Sequence, residues 1–130
     1  MKMRKEIHFP AKGISIQKSA LELVEVCHGM ASECGWWDNT TARDVPRLLM
    51  LCVSELAEAM EGDRKNLMDD KLKHRKMLEV ELADTVIRVF DMAGGLGLDL
   101  PGAIYEKLVF NASRADHKPE NREKDGGKKY

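Results

Sequence analysis

Hydrophobic and polar positions follow one another along most of this chain at the three- and four-residue steps of amphipathic helices. Leu21, Val24, Cys27 and Ala31 mark a first apolar stripe, and Ser15 is a candidate cap for a helix reaching about Cys34. Leu48, Leu51, Cys52, Leu56 and Ala59 mark a second. It lies between Asp44, a plausible N-cap followed by Pro46 in the first turn, and Gly62, a natural C-cap. A third helix is predicted from about Arg75 to Ala93, ending at Gly94-Gly95, and a fourth opens at Asp99 and Pro101 and reaches about Arg114. Sustained period-2 alternation is missing, so no strand is predicted. Four such helices with short connections predict an all-α, four-helix bundle-like domain over residues 16–115. Residues 1–15, broken by Pro10 and Gly13, read as an N-terminal arm. Residues 116–130 carry no apolar period and are expected to form a mobile polar tail.

Composition adds limits to this picture. At 130 residues with 43% hydrophobic side chains, the chain suits one domain with a core. Its 21 Lys+Arg against 22 Asp+Glu give no broad pull toward a nucleic acid polymer or an anionic membrane. No apolar run approaches a membrane span, and no h-region follows the early positive charge. Cys27, Cys34 and Cys52 form no CxxC pair and read as small core residues in a reducing cytoplasm. His28 and His74 read as surface or capping residues.

The acids carry the chemistry. On the second helix Glu55 falls inside the apolar arc, Glu58 at its edge and Glu61 on the polar side. On the third, Leu78, Val80, Leu82, Ala83, Val86, Ile87, Val89 and Phe90 wrap most of the circumference. They leave one polar stripe of Glu81, Asp84, Arg88 and Asp91. That stripe is either the only wet edge of the helix or a face turned toward Glu55 and Glu58 across a shared cleft. In the second case four carboxylates meet and resist ionisation unless a cation neutralises them. An all-oxygen ligand set favours Mg²⁺, with Mn²⁺ as the other candidate. The pairs Glu55-x-x-Glu58 and Glu81-x-x-Asp84 have no His in step, which weighs against a redox di-iron bundle built on ExxH.

Mg²⁺ held by carboxylates meets substrates through phosphates. Lys107, Asn111 and Arg114 lie at i, i+4 and i+7 in one strip, which is either a solvated face or a phosphate clamp. Arg88 reads as a structural ion-pair partner. Trp36 and Trp37 are adjacent in a predicted loop. They are candidates both for stacking on a nucleobase and for anchoring the loop to the core.

Together these segments resemble the MazG-like branch of the all-α nucleoside triphosphate pyrophosphohydrolases, over residues 16–115. The family's EExxE segment is matched by Ser54-Glu55-Leu56-Ala57-Glu58, and its ExxD by Glu81-Leu82-Ala83-Asp84 after 22 intervening residues. The later run from Glu106 to Arg114 resembles the family's basic motif. The resemblance implies hydrolysis of (deoxy)nucleoside triphosphates to the monophosphate and pyrophosphate, as house-cleaning of non-canonical or excess dNTPs. It implies Mg²⁺ held by Glu55, Glu58, Glu81 and Asp84, with Glu55 or Glu58 orienting or deprotonating the attacking water. Lys107 and Arg114 would bind the departing pyrophosphate and Asn111 would position it. A homodimer or a dimer-of-dimers tetramer is implied, with sites completed by neighbouring subunits. Ser54 departs from the family's first Glu and cannot act as a base at neutral pH. That departure leaves open a non-catalytic nucleotide-binding or helical protein-interaction module.

Overall fold

Apolar periodicity builds helices here and nothing else. The computed structural model describes residues 13–39, 44–114 and 118–128. They form α1 (Gly13–Glu33), α2 (Val45–Arg64), α3 (Met77–Leu96), α4 (Leu100–Ser113) and the one-turn α5 (Pro119–Arg122). No strand occurs among the described residues; Met68 and Lys76 form an isolated bridge. Most of the arm expected over 1–15, the end of the loop after Asn39, and 115–117 of the sequence lie outside the described residues.

The helix ends differ from expectation for local reasons. α2 runs two residues past Gly62, because the loop beyond it turns back and donates from Lys65 N–H to Glu61 and from Leu67 N–H to Gly62. Gly62 serves close approach instead. It is buried, and a Cβ there would lie 2.8 Å from the Met77 side chain. α3 starts at Met77, where the Glu79 carboxylate accepts the Lys76 N–H at 3.3 Å. It continues through Gly94-Gly95 and stops at Gly97, whose φ of 64° is the left-handed cap. Asp99 does cap α4, its Oδ1 accepting the Gly102 N–H at 3.0 Å. Asp44 makes no side-chain cap bond.

The chain divides into two compact units, one of Met1–Leu21 with Asp99–Tyr130 and one of Glu22–Leu98. The second is organised by the α2–α3 hairpin. Gly62 meets Met77 near the connection and Glu55 meets Arg88 two turns away, so the helices run antiparallel. The connection, expected only to be charged, is ordered by Asp69. Its buried Oδ2 accepts from the N–H groups of Lys71 (3.0 Å) and Leu72 (2.7 Å), while its own N–H donates to Arg75. Asn66 takes the left-handed φ of 51° that the turn needs.

The buried apolar side chains of this unit are Ala59, Phe90 and Ala93, and the buried acids are Glu55, Asp69 and Glu81. Meanwhile Leu49, Met50, Val53, Leu56 and Met60 of α2 and Leu82, Val86 and Ile87 of α3 are exposed. The polarity is therefore inverted, with acids turned toward the partner helix and much of the apolar surface outward. Cys27 and Cys52 are half-buried and Cys34, just past α1, is exposed; all three thiols are free. Burial pushes the thiol pKa of Cys27 and Cys52 up, so both are poor nucleophiles.

Candidate metal centre and its neighbours

Helical spacing places the acids. Glu81 and Asp84 are three residues apart on α3 and share one face. Glu55 projects from the middle of α2 toward that face. Carboxylate oxygens of Glu55, Glu81 and Asp84 all lie within 4.8 Å of one another. Glu55 and Glu81 are each only 8% exposed. Glu81 Oε2 is buried and has no hydrogen-bond partner. A buried carboxylate oxygen left that way is costly.

The electrostatics follow from this crowding. Burial first, then a hydrogen bond shared with Glu55 and the charges of Glu58 and Glu55, push the Glu81 carboxyl up to about 7. Burial and the Glu55 charge raise Asp84 as well, helped by Asp69 and opposed by Arg88. Crowding of the acids thus opposes ionisation of Glu81 in the metal-free cluster. Glu58 is exposed on α2, yet its field reaches Glu81. The four acids of the two motifs are thus neighbours, three in mutual reach and Glu58 at the rim.

The third-helix stripe is the packed face rather than the wet edge. Arg88 Nε donates to Glu55 Oε1 at 2.6 Å. Asp91 Oδ1 accepts from Trp37 Nε1 at 2.7 Å and lies 3.0 Å from His28 Nδ1. Ser54, at the departure from the family motif, donates its hydroxyl to the Leu51 carbonyl at 2.7 Å and is spent on its own helix.

Gly94 and Gly95 explain how Trp37 and His28 reach α3. A Cβ at Gly94 would lie 2.5 Å from His28, and one at Gly95 would lie 2.1 Å from the Trp37 ring. The glycine pair, expected to end the helix, is a flat seat inside it. The His28 and Trp37 rings stack edge-on, with centroids 5.2 Å apart. Trp37 is therefore the loop anchor, whereas Trp36 is 75% exposed.

His28 corrects the surface reading of the sequence. The signal was present, since it sits four residues after Val24 and three before Ala31, within the apolar stripe of α1. Ser32 Oγ lies 3.3 Å from His28 Nε2, which completes a Ser-His-Asp series. Among the described residues the nearby N–H groups of Cys34, Gly35 and Trp36 are bonded to α1 carbonyls and supply no oxyanion hole. Asp69 was also missed, and a loop residue outside any period offers no signal.

The predicted substrate residues of α4 belong to the other unit. Lys107 Nζ lies 4.9 Å and the Arg114 guanidinium 5.7 Å from the centroid of the Phe110 ring. Asn111 Oδ1 is buried without a hydrogen-bond partner. A shallow cleft of about 320 Å³ in the same unit is lined by Ile14, Gln17, Lys18, Leu21, Asp99 and Pro101. Asp99 is committed to its cap, so the cleft gathers little chemistry.

The chain matches no family model, no curated protein and no solved structure. No helix among the described residues is long and apolar enough to cross a membrane.

Proposed function

We propose that this chain is a divalent-cation-dependent nucleoside triphosphate pyrophosphohydrolase of the MazG-like kind. The observation that carries the reading is the buried, unpartnered Glu81 Oε2 set among the carboxylates of Glu55 and Asp84. An all-oxygen set of this size fits Mg²⁺ or Mn²⁺, with Glu55, Glu81 and Asp84 as ligands and Glu58 completing the set at the rim. Such a cation supplies counter-charge to phosphate oxygens and lowers the pKa of water.

The chain's own residues do the rest. Glu58, exposed where Glu55 is buried and ion-paired, accepts the proton of the attacking water. Water oxygen joins phosphorus as the α–β anhydride bond breaks, and the products are the monophosphate and pyrophosphate. Lys107 and Arg114 carry cations suited to the leaving pyrophosphate, and Asn111 offers its amide; their assignment rests on the resemblance. The exposed Trp36 is the better candidate for stacking on the base. The exposed apolar side chains of α2 and α3 support assembly into a homodimer or tetramer. The free thiols suit a cytoplasmic setting.

A pyrophosphate-release assay with each dNTP and Mg²⁺ tests the reading. Release is expected from wild type and its loss from Glu58→Gln and Asp84→Asn, both folded by circular dichroism. No release from any canonical or modified nucleotide by a folded wild type would favour the non-catalytic module. Wild-type turnover in either variant removes that acid from the site.

A further inference from the structure

Arg88 touches the acidic cluster at one of its two buried members, Glu55. Its Nε–H bond to Glu55 Oε1 is 2.6 Å long, and the Glu55 side chain is 11% exposed where that of Arg88 is 41% exposed. Glu55 is also one of the three carboxylates that converge within 4.8 Å. One acid thus has two claimants. A divalent cation among the three carboxylates puts a second positive group on Glu55 and repels the guanidinium. Arg88 lies one helical turn beyond Asp84 and its side chain is 41% exposed, so a displaced guanidinium stays beside the cluster with access to solvent. Phosphate oxygens that accompany a cation bound there would come within reach of that guanidinium. A planar guanidinium with five N–H donors matches them, and a half-exposed side chain can swing to meet them.

We propose that Arg88 exchanges partners, neutralising Glu55 in the metal-free protein and binding a phosphate oxygen of the cation-bound nucleotide. The inference rests on the reading of the cluster as a metal centre, which the unpartnered Glu81 Oε2 supports independently. It adds to that reading a substrate-binding group that the sequence presents as a structural ion pair.

The test measures two affinities in wild type, Arg88→Gln and Arg88→Lys. One is for Mn²⁺ alone, by paramagnetic resonance of the free ion. The other is for inorganic pyrophosphate with Mg²⁺ in excess, by calorimetry. Arg88→Gln should bind Mn²⁺ about tenfold more tightly and pyrophosphate about tenfold more weakly, the scale of one charge-assisted hydrogen bond. Arg88→Lys keeps the charge and loses the planar fork. It should bind Mn²⁺ as wild type does and pyrophosphate more weakly. If Arg88→Gln does not fold, Arg88→Lys decides alone, and wild-type values for both ligands overturn the exchange. Unchanged Mn²⁺ or pyrophosphate affinity in folded Arg88→Gln also overturns it. A wild type that binds no Mn²⁺ overturns the metal centre itself, and the exchange with it.

Discussion

Glu81 concentrates the conflict between folding and charge in one carboxyl. Its pKa is raised from 4.5 to about 7, so the folded chain holds that proton where the unfolded chain has released it. The sign follows. Protonated Glu81 contributes its full stability below about pH 4.5, and that contribution disappears as pH rises through about 7. In chelator, Glu81→Gln should match wild type near pH 4 and become the more stable of the two as pH rises through about 7. Urea unfolding across this range measures it, and a gap that does not grow with pH contradicts the assignment. Trp37 offers a second case. Trp37→Phe removes the indole donor to Asp91 and should cost about 2 kcal/mol, since the acceptor is charged. Stability equal to wild type would mean that Asp91 does not hold the loop. Of these residues, Glu55 was legible as an acid inside an apolar arc, and Glu81 as part of a polar stripe that was either a wet edge or a face turned inward. The pairing of Trp37 with Asp91 was not, because 54 residues separate them and no period links loop to helix.

At the level of elements, the same residue type means different things in different places. Gly94 and Gly95 look like a helix terminus, since glycine punctuates sequence and favours C-caps. Inside α3 they are space for two rings. Gly→Ala within a helix ordinarily gains about 1 kcal/mol. Gly95→Ala should reverse that sign and destabilise by about 1–3 kcal/mol, because the new methyl group collides with the Trp37 ring. A red shift in indole fluorescence alongside the lowered melting temperature would identify the displaced ring. Higher stability with unshifted fluorescence would show that the ring does not need the seat. The stripe of Glu81, Asp84, Arg88 and Asp91 teaches a related lesson. A helical wheel fixes which residues share a face, but the neighbour decides whether that face is wet. Here α2 supplies Glu55, and α1 with its loop supplies His28 and Trp37.

On the scale of the whole molecule, a protein with acids inward and leucine, valine and methionine outward should not stay alone in water. Light scattering with size exclusion should report a dimer or tetramer, and Leu56→Asp or Val86→Asp should reduce the mass. A monomer at micromolar concentration would refute the assembly. Mg²⁺ with a nucleotide at a hundredfold excess over its Kd should stabilise the folded form by about 3 kcal/mol, visible as a raised melting temperature. No shift would speak against the site. The sequence alone determined the helices, the two acid pairs and the placing of Glu55 within an apolar arc, because period and propensity are local properties of the chain. Only the tertiary structure decided what those acids meet. The pairing of Arg88 with Glu55, the orphaned oxygen of Glu81 and the seat for Trp37 each depend on distances between segments far apart in sequence, which no local pattern encodes.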